Sequence, residues 1–105
     1  MKAYCVLDNL TFLKSFVGEG DFEVTFGFYP DSLSLSAGDS EMEYTLDDSM
    51  FLKYSVDDTV YVTVQASDLR DAMENINDDE LVRFQVNESD LSIFTELYVR
   101  RIEHV

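Results

Sequence analysis

Apolar and polar residues alternate along this chain with two different periods, and the periods switch in the same order twice. Met1, Ala3, Cys5 and Leu7 share one face at period two, the spacing of a half-buried strand. Leu10, Leu13 and Val17 then fall on one helical stripe, which Phe12 and Phe16 widen. Asp8 or Asn9 can cap that helix by accepting free N–H groups of its first turn, and Gly18 and Gly20 stop it. Phe22, Val24, Phe26 and Phe28 alternate with Glu23, Thr25 and Gly27 in a second strand. Pro30 presets the turn over residues 29–32. Leu33-Ser34-Leu35-Ser36 is a short strand, residues 37–40 turn the chain, and Glu41 to Leu46 alternates acid with apolar.

The second half runs through the same series. Val60, Val62 and Val64 make a strand face, and Ser67 or Asp68 can cap a helix with Leu69, Ala72, Met73 and Ile76 on its stripe. Val82, Phe84 and Val86 alternate, Leu91 to Phe94 is a strand, and Tyr98 to Ile102 is the last. At an offset of 59, Leu7, Leu10 and Leu13 meet Ala66, Leu69 and Ala72. At an offset of 58, Val24, Phe26 and Phe28 meet Val82, Phe84 and Val86, and Leu33 and Leu35 meet Leu91 and Ile93. A slip of one residue would turn the strand phenylalanines to the wrong face, so the match is specific. The pattern predicts an α+β fold of two β-α-β-β-β repeats in one domain. Repeat one covers 1–50, a connection covers 51–58, and repeat two covers 59–105. Eight strands would form an antiparallel sheet with both helices on one face, leaving Glu23, Thr25, Glu41, Glu43, Arg83 and Gln85 on the other.

Composition narrows the chemistry. In 105 residues there is room for one core, and 46% apolar content suffices to fill it. Cys5 is the only cysteine, so no internal disulfide can form, and its place on a strand face reads as a small buried apolar residue. The single histidine, His104, stands next to last in the sequence and offers that thiol no evident base. No apolar run approaches the ~20 residues of a membrane helix, and Asp8 interrupts the start too early for a signal peptide. A cytoplasmic protein is expected. The formal charge of −15, from 22 acidic and 7 basic residues, repels nucleic acid and anionic lipid and favours basic partners. No P-loop, dinucleotide fingerprint, zinc spacing or nucleophile elbow is present. Asp78-Asp79-Glu80 reads as a solvated helix end rather than a calcium loop, and a polar sheet face accounts for the Glu41 and Glu43 pair. No catalytic residue, metal site or cofactor is expected, and a small hydrolase would need a constellation this sequence lacks.

Two tandem β-α-β-β-β units resemble a single domain of a DNA sliding clamp, the family of the bacterial β clamp, proliferating cell nuclear antigen and phage clamps. Val64 to Met73 looks like the clamp's strand-to-helix step, and Asp79 to Ile93 like the hairpin that follows. The resemblance is one of pattern over nearly the whole chain. It implies a non-enzymatic processivity factor in which six such domains close a ring, helices lining the hole. Ordinary clamps carry two or three domains per chain, so the short length points to a minimal, virus-encoded version. DNA would be held by encirclement only, and partners would be a polymerase, a clamp loader or other replication proteins. Lys14 and Arg70 become the DNA-facing helix candidates, opposed by Asp71 and Glu74. Tyr98, Arg100, Arg101 and Ile102 become candidates for an oligomer edge, and Phe51, Leu52 and Tyr54 for partner docking, with core packing as their simpler reading. The alternative is an acidic mimic of DNA that occupies a basic groove on a nuclease, polymerase or clamp loader. Asp39, Glu41, Glu43, Asp47, Asp48, Asp57 and Asp58 would carry it.

Overall fold

The computed structural model describes the chain apart from residues 1, 39–42, 78, 88–89, 96–97 and 104–105. In chain order the elements are β1 (Ala3–Leu7), α1 (Thr11–Val17), β2 (Glu23–Tyr29), β3 (Ser32–Ala37), β4 (Glu43–Asp47), a 3-10 turn (Asp48–Met50), β5 (Lys53–Val56), β6 (Val60–Gln65), α2 (Ala66–Met73), β7 (Val82–Val86), β8 (Asp90–Phe94) and β9 (Val99–Glu103).

The strands divide between two antiparallel sheets, ordered β5-β1-β7-β8-β9 and β4-β3-β2-β6. The two halves exchange their first strands: β1 pairs with β7 of the second half, and β6 pairs with β2 of the first. Apart from β5, the order β1-β7-β8-β9 in one sheet corresponds to β6-β2-β3-β4 in the other. Neither half can complete its sheet alone, which binds both into one core. Positions matched by sequence sit in matched cross-strand pairs. Phe26 faces Leu35 and Phe28 faces Leu33; Phe84 faces Ile93 and Val86 faces Leu91.

Two sheets therefore stand where one was expected, and a ninth strand lies within the connection over 51–58. That strand, β5, pairs antiparallel with β1 and sets Tyr54 opposite Cys5. Lys53-Tyr54-Ser55-Val56 does alternate, but four residues between acidic flanks carry too little periodicity to separate a strand from a loop.

The helical stripes face inward. Leu13, Phe16 and Val17 of α1, Leu10 before it, and Leu69, Ala72 and Met73 of α2 with Ile76 after it are all buried against the strands. Burying a side chain the size of Leu or Phe contributes about 1.5–3 kcal/mol, and these stripes hold both helices to the sheets. Neither helix would persist alone, since 7 and 8 residues fall below the ~12 needed in water.

The helix ends show two different solutions. Asn9 Oδ1 accepts a hydrogen bond from the Thr11 N–H at 2.8 Å, and Gly18 closes α1 at φ 45°. In the second half the expected caps Ser67 and Asp68 lie inside the first turn, because α2 begins directly from β6 at Ala66. The Ala66 N–H instead donates to Phe22 O at 2.7 Å, so the sheet takes the place of a capping side chain. Cys5 is fully buried, and desolvation pushes its thiol up to about 12.

Candidate functional site

Three surfaces carry the candidate residues: the helical layer, the sheet edges and the 51–58 segment. Lys14 and Arg70 sit on the helical layer, and both cations reach backbone carbonyls. Lys14 Nζ donates to Ile76 O at 2.6 Å, just past the end of α2. Arg70 Nε donates to Gly18 O at 2.9 Å, and its Nη2 to Gly20 O and more weakly to Val17 O, at the end of α1. Each helix thus supplies a cation to the negative C-terminal end of the other. Both side chains remain partly exposed and line a cleft of roughly 360 Å³ with Val17, Asp71, Met73 and Glu74. Asp68, Asp71 and Glu74 are exposed on the same layer. Its outward charge is therefore acidic, and its two basic side chains have structural partners.

The sheet edges are β4 and β6 in one sheet, β5 and β9 in the other. Internal symmetry makes β4 and β9 equivalent: Leu33 faces Leu46, and its counterpart Leu91 faces Ile102. The same register sets Tyr44 in the place of Arg100, and Thr45 in the place of Arg101. Backbone equivalence does not extend to charge. Strand β4 carries Glu43 and Asp47 with no base, whereas β9 carries Arg100 and Arg101 against Glu103. Arg100 is exposed, and Arg101, 71% exposed, lies 3.5 Å from the Asp90 carboxylate. Tyr44 and Val99 add exposed apolar surface, with the Tyr44 ring edge-on to Phe16 at 5.5 Å. Ile102 is core, and Tyr98, just before β9, is half-buried against the core, so of the four edge candidates only the arginines are accessible.

The docking candidates over 51–54 separate. Phe51 is buried. Tyr54 is half-buried, and its hydroxyl lies 2.6 Å from both Tyr29 O and Ser32 O, tying β5 to the turn between β2 and β3 in the other sheet. Desolvation raises its phenol above the ordinary value. Leu52 is exposed at 60%, beside exposed Met50. The acidic candidates are likewise dispersed. Asp39 and Glu41 lie outside the described residues. Glu43, Asp47 and Asp48 cluster at β4 and the turn after it, and Asp48 N–H donates to Asp31 O at 3.0 Å. Asp57 and Asp58 stand apart, lining a cleft of roughly 340 Å³ with Lys2, Thr59 and Val60 at the start of β6.

Several surface residues escape a reading by periodicity. Tyr61 alternates with core positions and looks like an ordinary solvent-side residue in sequence, whereas Tyr44 shares the face of Leu46 and looks like core, yet is exposed. Only the pairing order shows that Tyr44 and Tyr61 lie on edge strands. Among the described residues, no group of three or more His, Cys, Asp or Glu could hold a metal ion. Among them also, no helix is long and apolar enough to cross a membrane.

No protein-family model matches the chain, and no curated protein matches it. Solved structures do. A chain of the structure "C-terminal region of FEN-1 bound to A. fulgidus PCNA" superposes with a TM-score of 0.82 at 14% sequence identity. The match covers 98% of this chain and 45% of that one. The fold is that of a single sliding-clamp-like domain. The likeness is one of architecture, carried by the two exchanged β-α-β-β-β units, and this chain spans less than half of the chain it matches.

Proposed function

We propose that this protein is a non-enzymatic, clamp-like scaffold whose copies join head to tail, β4 of one on β9 of the next, and that the assembly tethers replication proteins. The observation that carries this reading is the opposite charge on two edges that internal symmetry makes equivalent. Two β4 strands brought together would set the Glu43 and Asp47 carboxylates of one copy against those of the other, and two β9 strands would set arginines against arginines. A β4–β9 contact sets arginines against carboxylates, continues both sheets and removes two open edges. Such a contact is heterologous, so it closes into a ring when the rotation between copies permits. DNA would be held by encirclement alone, because exposed Asp68, Asp71 and Glu74 disfavour phosphate.

Light scattering at high protein concentration tests the assembly. The unsubstituted protein should form a discrete oligomer. Arg100→Glu with Arg101→Glu should yield monomer, as should Glu43→Lys with Asp47→Lys, and mixing the two variants should restore association. A monomer for the unsubstituted protein at every concentration refutes the reading.

One observation favours a second reading. With both helix cations directed to carbonyls, the helical layer is an acidic surface fit for a basic groove on a nuclease, polymerase or clamp loader. In that role the protein acts as a monomer, and its binding to such an enzyme falls steeply with salt.

A further inference from the structure

The edges β4 and β9 differ on their helical side as well as in their charge. Tyr44 stands opposite Leu35, and its counterpart Arg100 opposite Ile93. Leu35 and Ile93 are core, so both edge side chains lie on the side of the sheet that the helices cover. Both are nevertheless exposed, because their strands end their sheets. The geometry points to one register for the β4–β9 contact between copies, in which Arg100 of one copy lies over the Tyr44 ring of the next. This pairing rests on the head-to-tail assembly proposed above, and it makes Tyr44 and Arg100 the pair that sets the alignment of the copies.

Main-chain phase restricts the contact. Asp48 N–H donates to Asp31 O, one step beyond the Asp47 and Ser32 pair, so β4 bonds β3 through its even-numbered residues. Glu43, Thr45 and Asp47 then turn their main-chain groups outward. Thr95 N–H donates to Tyr98 O, one step beyond the Phe94 and Val99 pair, so β9 likewise bonds β8 through even-numbered residues and leaves Val99, Arg101 and Glu103 facing outward. An antiparallel contact must therefore set odd-numbered residues against odd-numbered ones. That parity also keeps the helical sides of the two sheets together.

Side chains choose among the registers that remain. With Glu43 opposite Arg101, Thr45 lies opposite Val99 and Tyr44 opposite Arg100. The first is an ion pair, and the second covers a valine that is 71% exposed. The third is a pair without mutual main-chain bonds, the kind in which facing side chains come closest. Moving one copy by two residues in one direction sets Glu43 against Glu103, and by four carries Tyr44 and Arg100 past the ends of the facing strands. Moving it by two in the other direction carries Arg101 past the start of β4. The ring is ready for a cation: Tyr44 packs at 78° against Phe16 with half of its surface open. At the place of Phe16 the second half has exposed Asn75, so Arg100 meets no matching ring in its own copy. Among the described residues Arg100 has no hydrogen bond, ion pair or ring contact. A guanidinium stacks on such a ring, and the contact strengthens as the edges close and water leaves.

A double-mutant cycle on the association constant, read by analytical ultracentrifugation of the full chain, tests the pairing. Arg100→Gln and Tyr44→Leu should each weaken the contact roughly five- to thirtyfold, and the two together should weaken it little beyond either alone. Arg100→Lys should recover only part of the affinity, because an ammonium does not stack. The register is read separately by cross-linking under mild oxidation. Thr45→Cys mixed with Val99→Cys should give a disulfide-linked dimer, and Thr45→Cys mixed with Arg101→Cys should not. Thr45, Val99 and Arg101 are all exposed, so these variants leave the core intact. Additive losses in the double variant, or faster linkage through Arg101→Cys, would overturn the pairing and leave the assembly standing. An unsubstituted protein that stays monomeric at every concentration would overturn the assembly itself, and the pairing with it.

Discussion

Arg70→Ala separates a structural cation from a DNA-facing one. The guanidinium bonds Gly18 O and Gly20 O and reaches Val17 O, all at the C-terminal end of α1. Hydrogen bonds from a charged donor contribute about 1.5–3 kcal/mol when water is excluded. Here the Gly18 and Gly20 contacts are exposed, so water replaces part of what the truncation removes. The favourable charge at the helix end adds about 0.3–1 kcal/mol. The net loss expected is about 1–2 kcal/mol, which lowers the Tm of a domain this size by about 4–8 °C. Arg70→Lys keeps the charge but loses the fork that spans separate carbonyls, so it should recover less than half of the loss. Lys14→Ala, at the reciprocal contact with Ile76 O, should also destabilise. Differential scanning calorimetry at neutral pH reads both. If Arg70→Ala melts within 1 °C of the unsubstituted protein, the reciprocal tie between the helices contributes nothing, and the cation is available for another role.

Other consequences can be measured in parallel. Tyr54→Phe removes the hydroxyl that links β5 to the turn between β2 and β3, and should cost about 1–2 kcal/mol in urea denaturation. A Cβ at Gly27 would lie 2.6 Å from Ser34 Oγ and 3.2 Å from the Tyr29 and Tyr61 rings, so Gly27→Ala should cost about 1–3 kcal/mol, with Ser34→Ala recovering much of it. The buried Cys5 thiol is raised in the folded state, so its contribution is complete below the unfolded value near 9.0 and is lost as pH climbs toward about 12. Cys5→Ala should flatten that alkaline decline, and thiol-labelling of the native protein at pH 8 should proceed only as fast as the fold opens. With a net charge of −15, self-repulsion opposes compaction, so Tm should rise between 0.05 and 1 M NaCl; a flat response would refute that account.

The sequence alone determined what each segment wants to bury. The strand phases of Val24 to Phe28 and Val82 to Val86, the stripes of Leu10 to Val17 and Leu69 to Ile76, and the doubling of the whole series follow from side-chain periodicity. Periodicity is local: each residue reports its own face without reference to a partner. Strand order is not local, because hydrogen bonds between main chains carry no residue label. Hence the exchange of β1 and β6 between halves, the division into two sheets and the pairing of β5 with β1 were decided only in three dimensions. The same holds for charge at the site. Lys14 and Arg70 look like surface cations in a linear reading, and tertiary packing brought each to the carbonyls ending the other helix. Which strands lie at the edges, and so which of Glu43, Tyr61, Arg100 and Arg101 can meet another molecule, depends on where pairing stops, a property of the assembled sheet rather than of any segment within it.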